Sequence, residues 1–282
     1  MAVNAKKSDR RKTKTHVVPT TISEDSSFNV VESYKAIRTN LSFALHNKKG
    51  CKMILFTSGL PGEGKTMTSI NTAITIAQTG VRTLIIDCDL RKPQIHKRFG
   101  INNEIGLSNV LSGMATFDKA VHPTGKENLW AITAGVLPPN PAELLGSDAM
   151  AELLGALEKM FDFIIIDTPP INVVSDALTL TKLIDGVVLI VRYRESSHPE
   201  LRDAFAKLEF VGANVIGTIM NGVPSTSNNK YYKNKYSKYG YKYKSGYGYG
   251  YGYGYGYGYG HRVKKTDTAT SAEGGGSETP KQ

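Results

Sequence analysis

The chain has 282 residues, 40% hydrophobic and 21% charged, with a formal net charge of +10 at pH 7, so one large α/β domain or two smaller ones fit its length. Its two cysteines, Cys51 and Cys88, exclude a disulfide framework and a cysteine-based metal site, and are expected as small buried hydrophobes in a reducing compartment. No apolar run reaches the length of a membrane span and Met1 to Thr20 lacks a signal-peptide core, which points to a cytoplasmic protein with peripheral membrane attachment left open.

Residues 1–27 are polar, and the first 20 carry six Lys/Arg against one Asp, which reads as a basic flexible arm. From Asn29 to His46 the apolar spacing Val31, Tyr34, Leu41, Leu45 predicts a helix. One side of it carries Glu32, Lys35 and Arg38, three apart, able to pair with each other or to reach a neighbouring subunit.

The apolar run Lys52 to Thr57 predicts a strand, and it runs into Gly59-Leu60-Pro61-Gly62-Glu63-Gly64-Lys65-Thr66. That octet satisfies the phosphate-loop pattern G-x-x-x-x-G-K-[ST] at every position. Its glycines let backbone N–H groups turn inward on phosphate oxygens, Lys65 supplies a cation for the β- and γ-phosphates, and Thr66 offers a hydroxyl to Mg²⁺. Thr66 to Gln78 predicts the following helix, with Met67, Ile70, Ala73, Ile74 and Ala77 on one face and Gly80 as its stop. Gly59 to Met67 is therefore the expected nucleotide-binding stretch.

Arg82 to Asp87 reads as a buried parallel strand that delivers Asp87 and Asp89 to its C-terminal edge, where ligands of open α/β sheets bind. Ile95 to Phe99 and Leu107 to Leu111 are expected as short helices, Leu129 to Thr133 as a strand, Val136 to Pro141 as a stiff loop, and Ser147 to Lys159 as an amphipathic helix. Phe163-Ile164-Ile165-Ile166-Asp167-Thr168-Pro169-Pro170 repeats the theme of an apolar strand ending in an acid, and suits a carboxylate that steadies Mg²⁺ through water. A strand over Gly186–Arg192, a helix near Pro199–Glu209 and a strand over Asn214–Met220 complete the alternation, with Asn221 close enough to be considered for the base. The expected architecture is one P-loop α/β domain over residues 28–224, a doubly wound, mostly parallel sheet with helices on both faces.

Beyond it lies a tail of a different kind. Thirteen of the 15 tyrosines fall between residues 231 and 259: Tyr231, Tyr232, Tyr236, Tyr239, Tyr241, Tyr243, Tyr247, Tyr249, Tyr251, Tyr253, Tyr255, Tyr257 and Tyr259. Residues 221–282 carry ten Lys/Arg and three acids, whereas residues 21–220 carry 19 basic and 21 acidic residues, so the basicity sits at the two ends. Half glycine and without aliphatics, the alternating stretch cannot bury enough surface to offset chain entropy. Residues 225–260 are read as a flexible tyrosine cluster and 261–282 as a polar terminus. The tail alone is open to three readings: an aromatic low-complexity segment, a nucleic-acid stacking tail, or a set of phosphate acceptors.

An NTP loop, two acid-bearing strands and a tyrosine tail on one chain suggest phosphoryl transfer to tyrosine, and here the sequence resembles the bacterial protein-tyrosine kinases (BY-kinases) of capsule and exopolysaccharide synthesis. The resemblance covers residues 28–260. Gly59–Thr66 is similar to the family's first phosphate-binding motif, Leu84–Pro93 to its second and Phe163–Pro170 to its third. Glu32-x-x-Lys35-x-x-Arg38 resembles its Glu-x-x-Arg-x-x-Arg self-association motif, with a lysine that lacks the arginine fork in the middle place. The resemblance implies ATP and Mg²⁺ as cofactors, Lys65 on the phosphates, Thr66, Asp89 and Asp167 at the metal, Asp87 nearest the phenol, and autophosphorylation of the tail in trans. The division between Asp87 and Asp89 stays open. It further implies a ring-like homo-oligomer, a separate membrane-spanning activator that holds the chain at the inner face of the membrane, a cognate phosphotyrosine phosphatase and other protein substrates. Two other classes compete. Partitioning and positioning ATPases (ParA and MinD types) share the fold but usually carry an extra lysine where Leu60 stands. A nucleic-acid-binding ATPase would use the basic aromatic tail and show salt-sensitive binding; nucleic acid is not the expected partner.

Overall fold

The structure is a computed structural model that describes residues 21–23 and 26–224. The basic arm before residue 21, the tail tyrosines Tyr231 to Tyr259 and the polar terminus lie outside the described residues. Seven strands form one sheet in the order β3-β4-β2-β5-β1-β6-β7. They are β1 (Lys52–Ser58), β2 (Thr83–Asp87), β3 (Val121–Pro123), β4 (Leu129–Ile132), β5 (Phe163–Asp167), β6 (Gly186–Arg192) and β7 (Val215–Asn221). Every pairing is parallel except β3 with β4, where a short strand turns back on the edge. The mostly parallel α/β architecture expected from the sequence is the one found.

Parallel strands buried on both faces need apolar residues throughout, and the sequence supplies them. Alternate residues of β1 enter different cores: Met53 and Leu55 join Ile164, Ile166 and Leu189 on one face, while Ile54 and Phe56 join Ile165, Val188 and Ile190 on the other. Helix α2 (Lys65–Ala77) contributes Ile70, Ala73, Ile74 and Ala77 to that second core. It stops short of Gly80, whose φ of +84° favours glycine. Helix α1 (Phe28–Ala44) lies on the same side, buries Leu41, and is joined to α2 by Arg38, whose Nη1 donates to the Thr75 carbonyl at 2.9 Å.

The other helices are α3 (Ile95–Phe99), α4 (Leu107–Leu111), α5 (Phe117–Ala120), α6 (Pro141–Leu145), α7 (Asp148–Leu157), α8 (Asp176–Thr179) and α9 (His198–Phe210). In α9 the Ser197 side chain and Glu200 cap each other's backbone N–H groups, with Pro199 near the start. Three short helices, α5, α6 and α8, and the strand β3 depart from the expected pattern. α5 and α8 are barely one turn and β3 has three residues, while in α6 the last residue of the expected stiff loop, Pro141, instead opens a helical turn. Cys51 and Cys88 are both buried and unpaired. Among the described residues no helix is long and apolar enough to cross a membrane.

Candidate active site

The C-terminal ends of β1, β2 and β5 lie side by side, because β5 pairs with both of the others. The chain crosses to opposite sides of the sheet from this centre, which opens a crevice at their ends. The loop Gly59–Gly64 follows β1 into it. Gly62 and Gly64 take φ of +87° and +89°, a conformation that L side chains adopt at a cost. A Cβ on Gly64 would also strike the Asn221 amide nitrogen. The curl presents the start of the 13-residue α2, where the N–H groups ahead of Thr68, which donates to the Gly64 carbonyl at 3.0 Å, precede the helix's own ladder.

Glu63, in the middle of the loop, points away from that turn. Its Oε2 accepts the Leu60 N–H at 2.9 Å and its Oε1 accepts the Ser196 hydroxyl. Ser196 Oγ also accepts the Arg192 N–H at 2.7 Å, and Asn221 Nδ2 donates to the Glu63 carbonyl at 3.0 Å. The loop is thus tied to the ends of β6 and β7. Asn221, considered for a base contact, spends its amide on the loop and its Oδ1 on the Gly222 N–H. Leu60 is half-buried and Met67 half-buried on α2.

Opposite the loop stand the acids. Asp87 and Asp167 are register partners on adjacent parallel strands. Asp167 Oδ2 accepts the Thr66 hydroxyl at 2.7 Å and its Oδ1 accepts Ser69 Oγ at 2.9 Å. Asp89 Oδ2 lies 3.3 Å from Lys65 Nζ, and its Oδ1 accepts the Lys92 N–H at 2.9 Å. Asp87 is fully buried: Oδ1 accepts the Asp89 N–H at 3.3 Å, and Oδ2 accepts those of Gln94 and Ile95, each at 3.0 Å. Burial pushes the Asp87 carboxyl up to about 7, with the nearby Asp167 charge adding to the rise and the Ile95 N–H opposing it. Burial also raises Asp167, against the pull of Lys65 and the two hydroxyls. Asp89, which faces Lys65, is the more open to the crevice.

Lys65, Thr66, Asp89 and Asp167 therefore converge, with Asp87 behind them. Glu32 and Lys35 pair with each other at 2.8 Å on the exposed side of α1, while Arg38 turns to α2. Sequence reading missed three contacts: Ser69 on Asp167, Ser196 on Glu63, and Arg91 on Asp176. The first had a signal, since Ser69 lies one helical turn after Thr66.

The donor set fits a nucleotide with its metal. The loop's positive-φ glycines, the lysine and the helix start suit phosphates, and the Thr66 hydroxyl already meets a carboxylate. Among the described residues no group of three or more His, Cys, Asp or Glu side chains is disposed to hold a metal alone. Thr66 and the carboxylates of Asp89 and Asp167 are oxygen donors of the kind that Mg²⁺ takes alongside water and phosphate.

Comparison with known proteins follows the same lines. A family model described as an AAA domain matches residues 51–198. The tyrosine-protein kinase YwqD of Bacillus subtilis is 38% identical over 220 residues, spanning 78% of this chain and 89% of that protein. The solved kinase domain of the Escherichia coli tyrosine kinase ETK superposes with a TM-score of 0.68 at 32% identity, covering 86% of this chain and 89% of that one. The septum site-determining protein MinD of Pyrococcus horikoshii, solved with Mg-ADP, matches with a TM-score of 0.54 at 23% identity over 63% of this chain and 72% of that one, a likeness of fold.

Proposed function

The chain belongs to the family of bacterial tyrosine-protein kinases, and from that premise we propose that it transfers phosphate from ATP to the tail tyrosines of another copy of itself, thereby regulating capsule or exopolysaccharide polymerisation and export. The observation that carries this is the meeting of the phosphate loop with the acids, Lys65 on Asp89 and Thr66 on Asp167. The stretch Gly59–Met67 cradles the phosphates through N–H groups, and Lys65 leans from Asp89 towards the β- and γ-oxygens. Thr66, with Asp89 and Asp167 largely through water, would hold Mg²⁺, which would supply charge neutralisation at the phosphates.

A tyrosine phenol attacks the γ-phosphorus as the bond to the ADP oxygen breaks, and the phenolic proton passes to a carboxylate. Either Asp89 or, in register with Asp167, Asp87 takes that proton. For Asp87 to meet the phenol, its hydrogen bonds to Gln94 and Ile95 must open; Asp89 faces Lys65 without such a change. Little base strength is needed when the transition state is loose, so positioning supplies most of the rate. Asn221 serves first to hold the loop beneath the nucleotide.

In the assembly we propose, copies form a ring through the helix bearing Glu32, Lys35 and Arg38, and a membrane-spanning activator holds them at the inner face of the membrane. A phosphotyrosine phosphatase resets the tail, and other proteins serve as further acceptors. Each phosphotyrosine adds about −1.5 to −2 charge, so several reverse the sign of a tail with ten Lys/Arg and three acids. Leu60, in the place where dimerising ATPases usually carry a second lysine, favours transfer to protein over a switch. The test is incubation of the full chain with labelled ATP and Mg²⁺, with and without its activator. Label on tail tyrosines that disappears in Lys65→Met is expected; ATP hydrolysis with no labelled protein overturns the reading.

A further inference from the structure

The loop that carries Asp89 is fastened at both ends. Cys88 N–H donates to the Asp167 carbonyl at 2.8 Å, and Gln94 and Ile95 are held by Asp87. Between these points Arg91 reaches across to Asp176, Nε to Oδ2 at 2.8 Å and Nη2 to Oδ1 at 3.0 Å. The two residues are 85 positions apart in sequence. Asp176 is fully buried at the start of α8, whereas the Arg91 side chain is 42% exposed. The pair raises Arg91 above its ordinary value, first through this hydrogen bond.

The ground on which Asp176 stands is itself fixed. Thr168 Oγ1 donates to the Phe56 carbonyl and Thr57 Oγ1 to that of Pro169, each at 2.9 Å. The Ile171 and Asn172 N–H groups donate to Ser58 and Gly59 carbonyls at 2.8 and 3.3 Å. The segment after Asp167 is therefore laced to the end of β1 and the start of the phosphate loop. A guanidinium fork on a carboxylate fixes a plane as well as a distance, which a lysine cannot do.

We propose that Arg91 and Asp176 are a positioning pair for phosphoryl transfer, tying the Asp89 loop to the rigid segment after Asp167 so that Asp89 stands opposite Lys65. The pair acts through the loop and touches neither nucleotide nor tyrosine. It rests on the kinase reading for the reaction it serves. Sub-ångström to ångström errors in such placement cost up to about a hundredfold in rate while leaving phosphate-loop binding intact.

The test uses the full chain with Arg91→Lys, Arg91→Ala, Asp176→Asn and the double variant Arg91→Ala/Asp176→Asn. The measurements are Tm, ADP affinity without Mg²⁺, KM for ATP, and kcat for both label transfer and ATP turnover. The double variant removes the buried charge that Arg91→Ala alone would strand, so a folded protein is available even if one single variant does not fold. Expected is a loss of kcat of roughly tenfold or more in every Ala and Asn variant, with ADP affinity and KM within about threefold. Arg91→Lys should fall between these and the parent, and the double variant should be no slower than the slower single one. Unchanged kcat, or kcat falling in step with ADP affinity, or additive losses in the double variant, overturns the pair. A parent chain that labels no tyrosine overturns the kinase reading instead, and ATP turnover in the same variants still decides this one.

Discussion

The phosphate loop is shaped by its backbone and tied from outside, through Glu63 to Ser196 and through Asn221, with Gly62 and Gly64 in a conformation set by φ. The acidic edge facing it is packed from within: Asp87 and Asp167 sit in register, buried, each pushed towards its protonated form. One side of the crevice is a mould, held in shape by its glycine backbone and by the hydrogen bonds of Glu63. The other is a set of stressed carboxylates whose charge answers to pH and to a cation. Damage to the mould should therefore show in binding, and damage to the carboxylates in turnover.

The largest expected effect is on the acidic side. Asp167→Asn should lower kcat for label transfer by about a hundredfold or more, as loss of a preorganised charge at the reacting phosphate does, while ADP binding without Mg²⁺ stays within a few-fold of the parent. Equal losses in both would erase the contrast between the two sides. Next is Gly64→Ala, which adds a Cβ against the Asn221 amide at a positive φ. A strain of about 1–3 kcal/mol predicts ADP affinity about 5- to 150-fold weaker by calorimetry.

The pH response is smaller and follows from the carboxylates. Burial pushes the Asp87 carboxyl from the ordinary 3.8 up to about 7, so the folded chain holds the proton more tightly. Its contribution to stability is complete below about pH 4 and is lost as pH rises through about 7, by a few kcal/mol at most. Asp167, also raised, acts in the same direction. The Tm of the parent relative to that of Asp87→Asn should then fall with pH across this window, and a difference that rises contradicts the assignment; His96, lowered by burial, acts in the opposite direction in both chains. Smallest is Ser196→Ala, which removes a hydroxyl between Glu63 and the Arg192 N–H. A loss of about 1 kcal/mol in holding the loop predicts a KM for ATP a few-fold higher with kcat unchanged.

The strands and the loop were legible because their signals are local. Phe163 to Asp167 is a run of β-favouring residues ended by two prolines, and the phosphate loop needs glycines that nothing else explains. The carboxylates followed from their place at strand ends. What the sequence did not disclose depends on distance along the chain. Asp176 lies six residues past the last recognisable motif residue, Pro170, and its partner Arg91 is on another strand's loop. Ser196 acquires meaning only once β6 is seen to end beside the phosphate loop. Asp87 could be assigned to the site from its spacing, but its burial under the Gln94–Ile95 turn required α3 to begin where it does. The helices α5 and α8 span four residues each, barely one turn, and α6 begins at the last proline of a stretch whose prolines read as a loop.

Arg38 gives the phosphate helix a second electrostatic end. The last carbonyls of α2 have no partner within the helix, and the Thr75 oxygen receives the Arg38 guanidinium. A cation at that end complements the negative pole of the helix, as phosphate does the positive pole at Lys65 and Thr66. The same residue belongs to the triplet proposed for self-association. A neighbouring copy that recruits Arg38 would take a counter-charge from the helix that grips the nucleotide. By thermodynamic linkage, nucleotide would then weaken or strengthen assembly by the same factor with which assembly changes nucleotide affinity. In that proposed assembly, crowding of copies and occupancy of the loop would be two readings of one equilibrium.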